Sequence, residues 1–440
     1  AAGDCAHLAD TPLPKAGVYA VREAPVLFNN LRAGLGAGKM QRYVPQKDYL
    51  KLISLGGKSA LAERLGTSFS GKLMWRWKDH IDQSFMDKFR ILPHMTPPPL
   101  PRQHAAGLPE ALGEKPLCGG CGSKLGRDAL RGALHNLPTP SRSDITPLPG
   151  DDAALLTTGG MRQVITSDHL RSFFADPVLM TRIAATHALG DIWAMGATPQ
   201  AATASIILPQ MAPELQRRTL SEIMTAAQAV MTKAGAEIVG GHSSMGDEMT
   251  IGFTLTGLCE DDPITLSGGQ AGDALILTKP LGSGVIMAAE MAGQAEGAWV
   301  AAGFAHMVQP QGDAARVLAG AHAMTDVTGF GLAGHLQGMC EASGCGATLH
   351  LHAIPIMEGA LTLSQDGVRS SIFAENRNLA PGLAVEGKAA LLFDPQTAGG
   401  LLAAVATDQA DALCKELKAA GYPAAIIGHL TERTGLRLQS

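Results

Sequence analysis

Between Pro93 and Pro116 the chain carries seven prolines, including the run Pro97-Pro-Pro99, with little apolar periodicity. Proline fixes φ and removes a backbone donor, so such a stretch favours extended polyproline over any packed element. No common core is expected to cross it. The chain therefore divides into residues 1–95, a semi-rigid linker over 96–115, and residues 116–440. A length of 440 residues suffices for two or three domains at roughly 150 each. The hydrophobic fraction of 46% can bury proper cores, and 17% charged residues is low but ordinary for a soluble enzyme. A net charge of -5 argues against a dedicated nucleic-acid binder, so an anionic substrate must be met by local features. Seven scattered cysteines, an odd number, suit a reducing cytoplasm better than a disulfide framework. No run approaches ~18 uninterrupted apolar residues, and no basic-then-apolar signal segment opens the chain.

Just after the linker stands Pro116-Leu-Cys-Gly-Gly-Cys-Gly-Ser-Lys-Leu-Gly126. With so little Cβ cover it can lie close to a ligand or open and close over one. Lys124 follows Cys121 by three residues, and an ammonium beside a thiol favours the nucleophilic thiolate. Three plainer readings stand beside this one: a flexible loop, a Cys118/Cys121 redox pair, or half of a zinc site. The zinc reading lacks a second pair at ligand spacing, because Cys340 and Cys345 are too far apart in sequence.

A short helix is expected over 127–134. Further on, acids end or interrupt apolar segments: Asp152 in Gly150-Asp-Asp-Ala-Ala154, Asp168 after the β-rich Gln163–Ser167, and Asp326 in Thr325-Asp-Val-Thr-Gly-Phe-Gly331. Asp176-Pro177 reads as an N-cap with proline at the first helical position, starting a helix to about Met195. On it Ala184, Ala188 and Asp191 share one face. Singly, each acid is best explained as a cap or an ion-pair partner. Together they suit Mg2+, which takes a few carboxylates plus substrate phosphates. Gly240, Gly241, His242 and Ser243 follow a strand-like Ala236–Val239 and read as a small-residue turn that admits a nucleotide. Strands are also expected at 201–208, 249–258 and 424–430, and helices near 285–292, 312–321 and 331–342. His350 and His352 alternate along a strand-like run and read as surface or core histidines.

The Gly-Asp-Asp element, Thr166-Ser-Asp168, the helix Arg182–Gly196 and Gly240–Ser243 resemble the aminoimidazole-ribonucleotide-synthetase-like ATP enzymes. The Gly-Cys-Gly-x-Lys loop and Thr325–His335 resemble the selenophosphate synthetase family within that group, and Asp394–Gly400 resembles a motif of the same family. The resemblance covers about 116–440. It implies an α/β (α+β) two-domain fold, with an ATP-binding domain over 116–268 and a second domain over 269–440. It implies that ATP, selenide and water give selenophosphate, AMP and phosphate, supplying selenium for selenocysteine and selenouridine. It makes Asp152, Asp191 and Asp326 the Mg2+ ligands. Lys124, Gly150, Asp168, Asp191 and Gly240–Ser243 become nucleotide contacts, Asp168 assisting nucleotide or metal. Cys121 handles selenium and Lys124 stabilises the transferring phosphoryl group. A homodimer with the nucleotide site near its interface follows as well. Ser123 stands where some members carry a second cysteine. A small-molecule kinase of the same superfamily and a non-catalytic dithiol module are the alternatives.

Residues 1–95 resemble something else. Ala1-Ala-Gly-Asp-Cys-Ala6 is similar to the late flavin-contacting motif of NADH dehydrogenase-like oxidoreductases. Gly17–Pro25, Asn29–Arg32, Tyr43–Gln46 and Leu50–Gly56 suit the helix, loop and strand that follow it. The dinucleotide fingerprints such enzymes need are absent from 1–115, which leaves Asp4 a half-site and implies no FAD here, with the flavoprotein's amino-terminal part missing. Leu73, Trp77, Ile81, Phe85 and Phe89 recur every four residues. That stripe is expected to pack on its own domain, a weak membrane contact by helix 73–89 being the other reading, diluted by Asp79, Asp82 and Asp87.

Overall fold

The computed structural model describes residues 3–9, 11–90, 100, 102–103, 105–108, 118–127, 130, 142–148 and 150–439. The side chain of Asp4, most of the 96–115 linker and most of the helix expected over 127–134 lie outside the described residues. The chain separates into two bodies, Ala1–Pro93 and His94–Ser440.

The first body holds helix α1 (Gly17–Gly34), the strands β1 (Lys51–Gly56), β2 (Ser59–Arg64) and β3 (Thr67–Gly71), and helix α2 (Lys72–Arg90). The three strands form an antiparallel meander. Tyr19, Ala60 and Ala62 are buried there. The stripe on α2 does not pack on its own domain: Leu73, Trp77, Ile81, Phe85 and Phe89 are all exposed. The face turned inward is the neighbouring one, where Met74, Trp75 and Lys78 are half-buried. A four-residue spacing drifts around a 3.6-residue helix, so the stripe cannot stay on one packed face.

The second body includes a 3-10 turn at Gly120–Ser123 and then β4 (Ile145–Thr146), β5 (Ala154–Thr158), β6 (Met161–Arg171), α3 (Pro177–Ala194), β7 (Thr198–Pro209), α4 (Pro213–Ala234), β8 (Glu237–Gly246) and β9 (Thr250–Cys259). These strands make a six-stranded sheet in the order β4-β5-β6-β9-β7-β8, antiparallel except for β7 and β8. There follow β10 (Ala274–Leu277), α5 (Ser283–Met291), α6 (Gly297–Met307), α7 (Gly312–Val317), β11 (Ala323–Asp326), α8 (Gly331–Ser343) and β12 (Gly346–His350). The chain ends with α9 (Ala360–Gln365), α10 (Phe373–Asn378), β13 (Leu401–Val405), α11 (Thr407–Ala419), β14 (Ala425–Thr431) and β15 (Gly435–Gln439). The second sheet runs β11-β13-β10-β14-β12-β15, with only β12 and β15 parallel.

Helix α3 is the centre of this body. Apolar residues lie on most of its faces, and most of Met180–Ala194 is buried, as expected of a helix enclosed along most of its surface. Its alanines let it pack closely, in one hydrophobic core with Val164 of β6, Phe253 of β9 and Ile276 of β10. Strands β10, β11 and β13 are buried along their whole length. The ends of β6, α3 and β11 are thereby held in a fixed relation.

Candidate active site

Asp176 caps α3 by accepting from the Val178 N–H at 2.8 Å and the Leu179 N–H at 3.3 Å, while Pro177 needs no such partner. Along the helix His187 and Asp191 are four residues apart and therefore share a face. Between them, Gly190 lets the backbone approach β11: a Cβ at that position would stand 2.4 Å from Asp326 Oδ2. Strand β6 places Thr166 and Asp168 on one face by its two-residue period. Thr166 Oγ1 donates to Asp191 Oδ2 at 2.5 Å. Thr325 Oγ1 donates to Asp152 Oδ1 at 3.1 Å. Half-buried His335 accepts the Thr328 N–H at Nε2 (3.1 Å), and desolvation, aided by Lys124 and Arg127, pushes it down to about 3, so it stays neutral.

Asp152, Asp191 and Asp326 each bring a carboxylate oxygen within 4.8 Å of the others. Burial raises all three; repulsion from Asp152 helps bring Asp326 to about 7, and Asp191 and Asp152 are both held well above the usual carboxylate range. Asp152 Oδ2 is buried without a hydrogen-bond partner among the described residues. Three mutually repelling hard oxygens, one of them unsatisfied, fit a small divalent cation such as Mg2+. The preceding acid plays another part, since Asp151 Oδ1 accepts the Leu266 N–H at 2.5 Å. Gly150, at φ +96°, makes the turn into this pair.

Asp168 lies outside this triangle. Its Oδ2 is 2.9 Å from His187 Nε2 and 3.4 Å from Lys124 Nζ. Burial opposes its charge, but His187 and Lys124 outweigh it and hold the carboxyl far below its usual range. Lys124 shows the converse: burial works against its charge, while Asp168, Cys121 and Asp191 raise its pKa. Its side chain is nevertheless 36% exposed, so the ammonium sits at the rim of the site where solvent reaches it. A Cβ at Gly329 would stand 2.6 Å from Lys124 Cδ, so the glycine makes room for the lysine stem.

The loop is docked. The Cys118 N–H donates to Ser371 Oγ at 2.9 Å, the Cys121 N–H to Thr397 Oγ1 at 3.4 Å, and Ser123 Oγ to the Gly120 carbonyl at 2.9 Å. This buries Cys121 to 1% exposure and sets its Sγ 3.4 Å from His187 Nε2. Among the described residues no group of three metal ligands contains a cysteine, and Cys118 and Cys121 are both free thiols. The Cys121 sulfur thus lies against the His187 ring nitrogen and within electrostatic reach of the Lys124 ammonium.

Gly240, Gly241, His242 and Ser243 are not a turn. They lie within β8, an exposed edge strand, paired in parallel with Thr203–Ile206 of β7. Gly241 permits that pairing, because a Cβ there would meet the Ala204 carbonyl at 2.1 Å. Small residues that read as a turn were needed for a close strand contact. His350 and His352 stack with ring centroids 6.2 Å apart.

His187, Thr166, Thr325 and Thr397 escaped the sequence reading. For His187 a signal existed: it precedes Asp191 by one helical repeat and so had to share its face. Thr397 lay inside the Asp394–Gly400 motif, but nothing in the sequence tied it to the loop, because that contact is purely tertiary. A separate cavity of about 910 Å3 opens on another face of α3, lined by Arg182, Thr186, Trp193, Lys233 and Tyr422, and none of the carboxylates line it.

Residues 150–259 match the family model of the AIR synthase related protein N-terminal domain, and 270–440 match that of its C-terminal domain. A "Selenide, water dikinase" of Rhizobium meliloti is 36% identical over 331 residues, covering 70% of this chain and 92% of the relative. One from Aeromonas salmonicida is 36% identical over 329 residues, covering 72% of this chain and 94% of its own length. The chain belongs to the selenide, water dikinase family. Among solved structures, a thiamine-monophosphate kinase from Stenotrophomonas maltophilia K279a shares the fold at 21% identity and a TM-score of 0.52, covering 71% of this chain and 95% of its own. The selenide, water dikinase family thus supplies the frame for this site, a two-domain α/β fold of the AIR synthase kind.

Proposed function

We propose that this chain makes selenophosphate from selenide, ATP and water, releasing AMP and phosphate. The observation that carries the reading is the meeting of two chemistries in one place. A buried thiol and an ammonium from one loop, Cys121 and Lys124, stand beside carboxylates drawn from three separate segments.

Asp152, Asp191 and Asp326 would hold Mg2+, which when bound neutralises phosphate oxygens, the main electrostatic demand of phosphoryl transfer. Lys124 directs a positive charge at the transferring group, and Asp168 orients that ammonium. Cys121 handles selenium. The docked loop keeps the thiol out of water, so a nucleophile there is not lost to solvent. Gly150 and Asp168 contribute to the nucleotide site from this side. Gly240, Gly241, His242 and Ser243 sit on the exposed edge β8, and this supports a homodimer in which that edge reaches a nucleotide.

We place an ATP-binding domain over 116–268, a second domain over 269–440 and a linker over 96–115. By its resemblance, 1–95 is the carboxy-terminal domain of an FAD-dependent oxidoreductase fused to the synthetase. The acids scattered along α2 leave its exposed stripe without a membrane role in this reading. A reducing, cytoplasmic setting fits the seven free thiols.

The test is an anaerobic incubation with ATP, Mg2+ and selenide followed by phosphorus NMR. A selenophosphate signal with equimolar AMP, lost in Cys121→Ser and Asp191→Ala but kept in Cys118→Ser, supports the reading. ADP without selenophosphate overturns it in favour of a small-molecule kinase.

A further inference from the structure

A cysteine beside a histidine first suggests a base that takes the thiol proton. The ring of His187 is held in a way that speaks against this. Its Nδ1 lies 3.3 Å from the backbone nitrogen of Ala398, with the amide hydrogen directed at it. A peptide nitrogen offers only that hydrogen, so Nδ1 must present its lone pair. In the neutral ring the hydrogen is then on Nε2. That atom faces two acceptors, Asp168 Oδ2 at 2.9 Å and Cys121 Sγ at 3.4 Å.

The amide of Ala398 is aimed there by an unusual backbone. Ala398 has φ +49°, and among the described residues only Lys58 and Leu65 share a positive φ without being glycine. Such a conformation costs on the order of 1 kcal/mol and persists where surrounding structure imposes it. Contacts on either side hold it: Lys279 Nζ donates to the Ala398 carbonyl at 2.8 Å, and the Thr397 N–H donates to Ser283 Oγ at 2.9 Å. Lys279 is 1% exposed and makes no salt bridge among the described residues, an expensive placement for a lysine. Burial pushes its pKa down to about 7, although Asp326 opposes the shift. Holding Ala398 gives this lysine a purpose that phosphoryl transfer does not.

Burial also works against a charge on His187, whereas Cys121 and Asp168 favour one and push its pKa up. A second ring proton, however, would sit on Nδ1 and meet the Ala398 hydrogen head-on. The Asp168 carboxylate and the Cys121 sulfur both lie within reach of the single hydrogen on Nε2, with no second ring proton needed.

The geometry points to His187 as a positioning residue locked in its Nε2–H form by the Lys279–Ala398 contact, giving a fixed hydrogen bond to the Cys121 sulfur and accepting no proton. It deepens the site proposed above and takes from that reading only the importance of Cys121. Neither measurement below requires turnover or selenium, so a failed activity assay and a failed lock are told apart.

The full chain labelled with 15N-histidine, compared with His187→Gln to assign the ring, should show unprotonated Nδ1 and protonated Nε2 from about pH 6 to 8. An Nδ1–H tautomer or a doubly protonated ring overturns the proposal. Rates of Cys121 alkylation by iodoacetamide, resolved by mass spectrometry, give the second arm. Glutamine places an amide N–H near the Nε2 position and cannot act as a base. His187→Gln should therefore alkylate within about threefold of wild type, and His187→Ala about tenfold or more slower, the loss expected for a hydrogen bond to a charged group. Equal slowing by Gln and Ala would show that proton acceptance is needed, and the proposal fails. Lys279→Met leaves the ring in place and guards against loss of fold in the His187 variants. It should broaden or shift the Nδ1 resonance, and an unchanged resonance removes Lys279 from the lock.

Discussion

Gly190 and Asp326 touch so closely that a methyl group at position 190 would lie 2.4 Å from Asp326 Oδ2. The backbone of α3 and the end of β11 meet at this point, and the carboxylate triangle depends on the meeting. Gly190→Ala must push a buried carboxylate aside. Overpacking of this kind costs about 1–3 kcal/mol. Thermal unfolding should show that loss, and titration with Mg2+ should show a smaller stabilisation than in wild type. An unchanged Mg2+ response would mean that Asp326 is not a ligand.

The crowded carboxylates also predict how metal-free protein responds to pH. Asp326 is raised from its unfolded value near 4 to about 7, and Asp152 and Asp191 move the same way. Between those values the folded state binds more protons than the unfolded one, so stability falls as pH rises. For each such group the slope reaches at most about 1.4 kcal/mol per pH unit. Asp394, buried and also raised to about 7, adds to the same slope. Asp168, lowered, acts in the opposite sense but only below the ordinary carboxylate range, outside this window. His335, held down to about 3, opposes the slope up to about pH 6.5, as one group against the four raised carboxyls. Melting temperatures in EDTA should therefore decline from about pH 4 to 7. Saturating Mg2+ should flatten most of that decline, leaving the contribution of Asp394 opposed by that of His335.

Lys124 and Gly329 form a linked pair. Lys124→Met should lower selenophosphate formation by about a hundredfold or more, as removal of a charge at a transferring group does. Gly329→Ala displaces the lysine stem without touching its charge and should produce a smaller loss of the same kind. Adding Gly329→Ala to Lys124→Met should then change the rate little further, which steady-state kinetics of the double mutant will show.

Asp176→Ala removes the two hydrogen bonds that cap α3. A lost cap costs about 1 kcal/mol. Because His187 and Asp191 stand more than two turns further along a largely buried helix, the melting temperature should fall while kcat stays close to wild type. A large kcat loss would show that the cap also positions the site.

Much of the second body could be read from local pattern. Asp176-Pro177 marked the start of α3, alternating residues marked β9, and Gly329-Phe-Gly331 marked the start of α8. Those features depend on neighbours in sequence, so they leave a local trace. The stripe on α2 and the Gly240–Ser243 segment were misread because spacing and residue size say nothing of which surface is covered. Glycines that permit a turn and glycines that permit two strands to approach look the same on paper.

By itself the sequence determined that Cys121 and Lys124 share a loop able to approach a ligand, and that several aspartates end apolar segments. Helical period alone already set His187 and Asp191 on a common face. Only the tertiary structure decided which acids meet. It put Asp152, Asp191 and Asp326 into one repelling triangle and set Asp168 against Lys124 and His187 instead. It also turned the Ala398 amide toward His187 through a buried lysine. Such contacts join segments far apart in the chain, and their energies arise from burial, which no local spacing records.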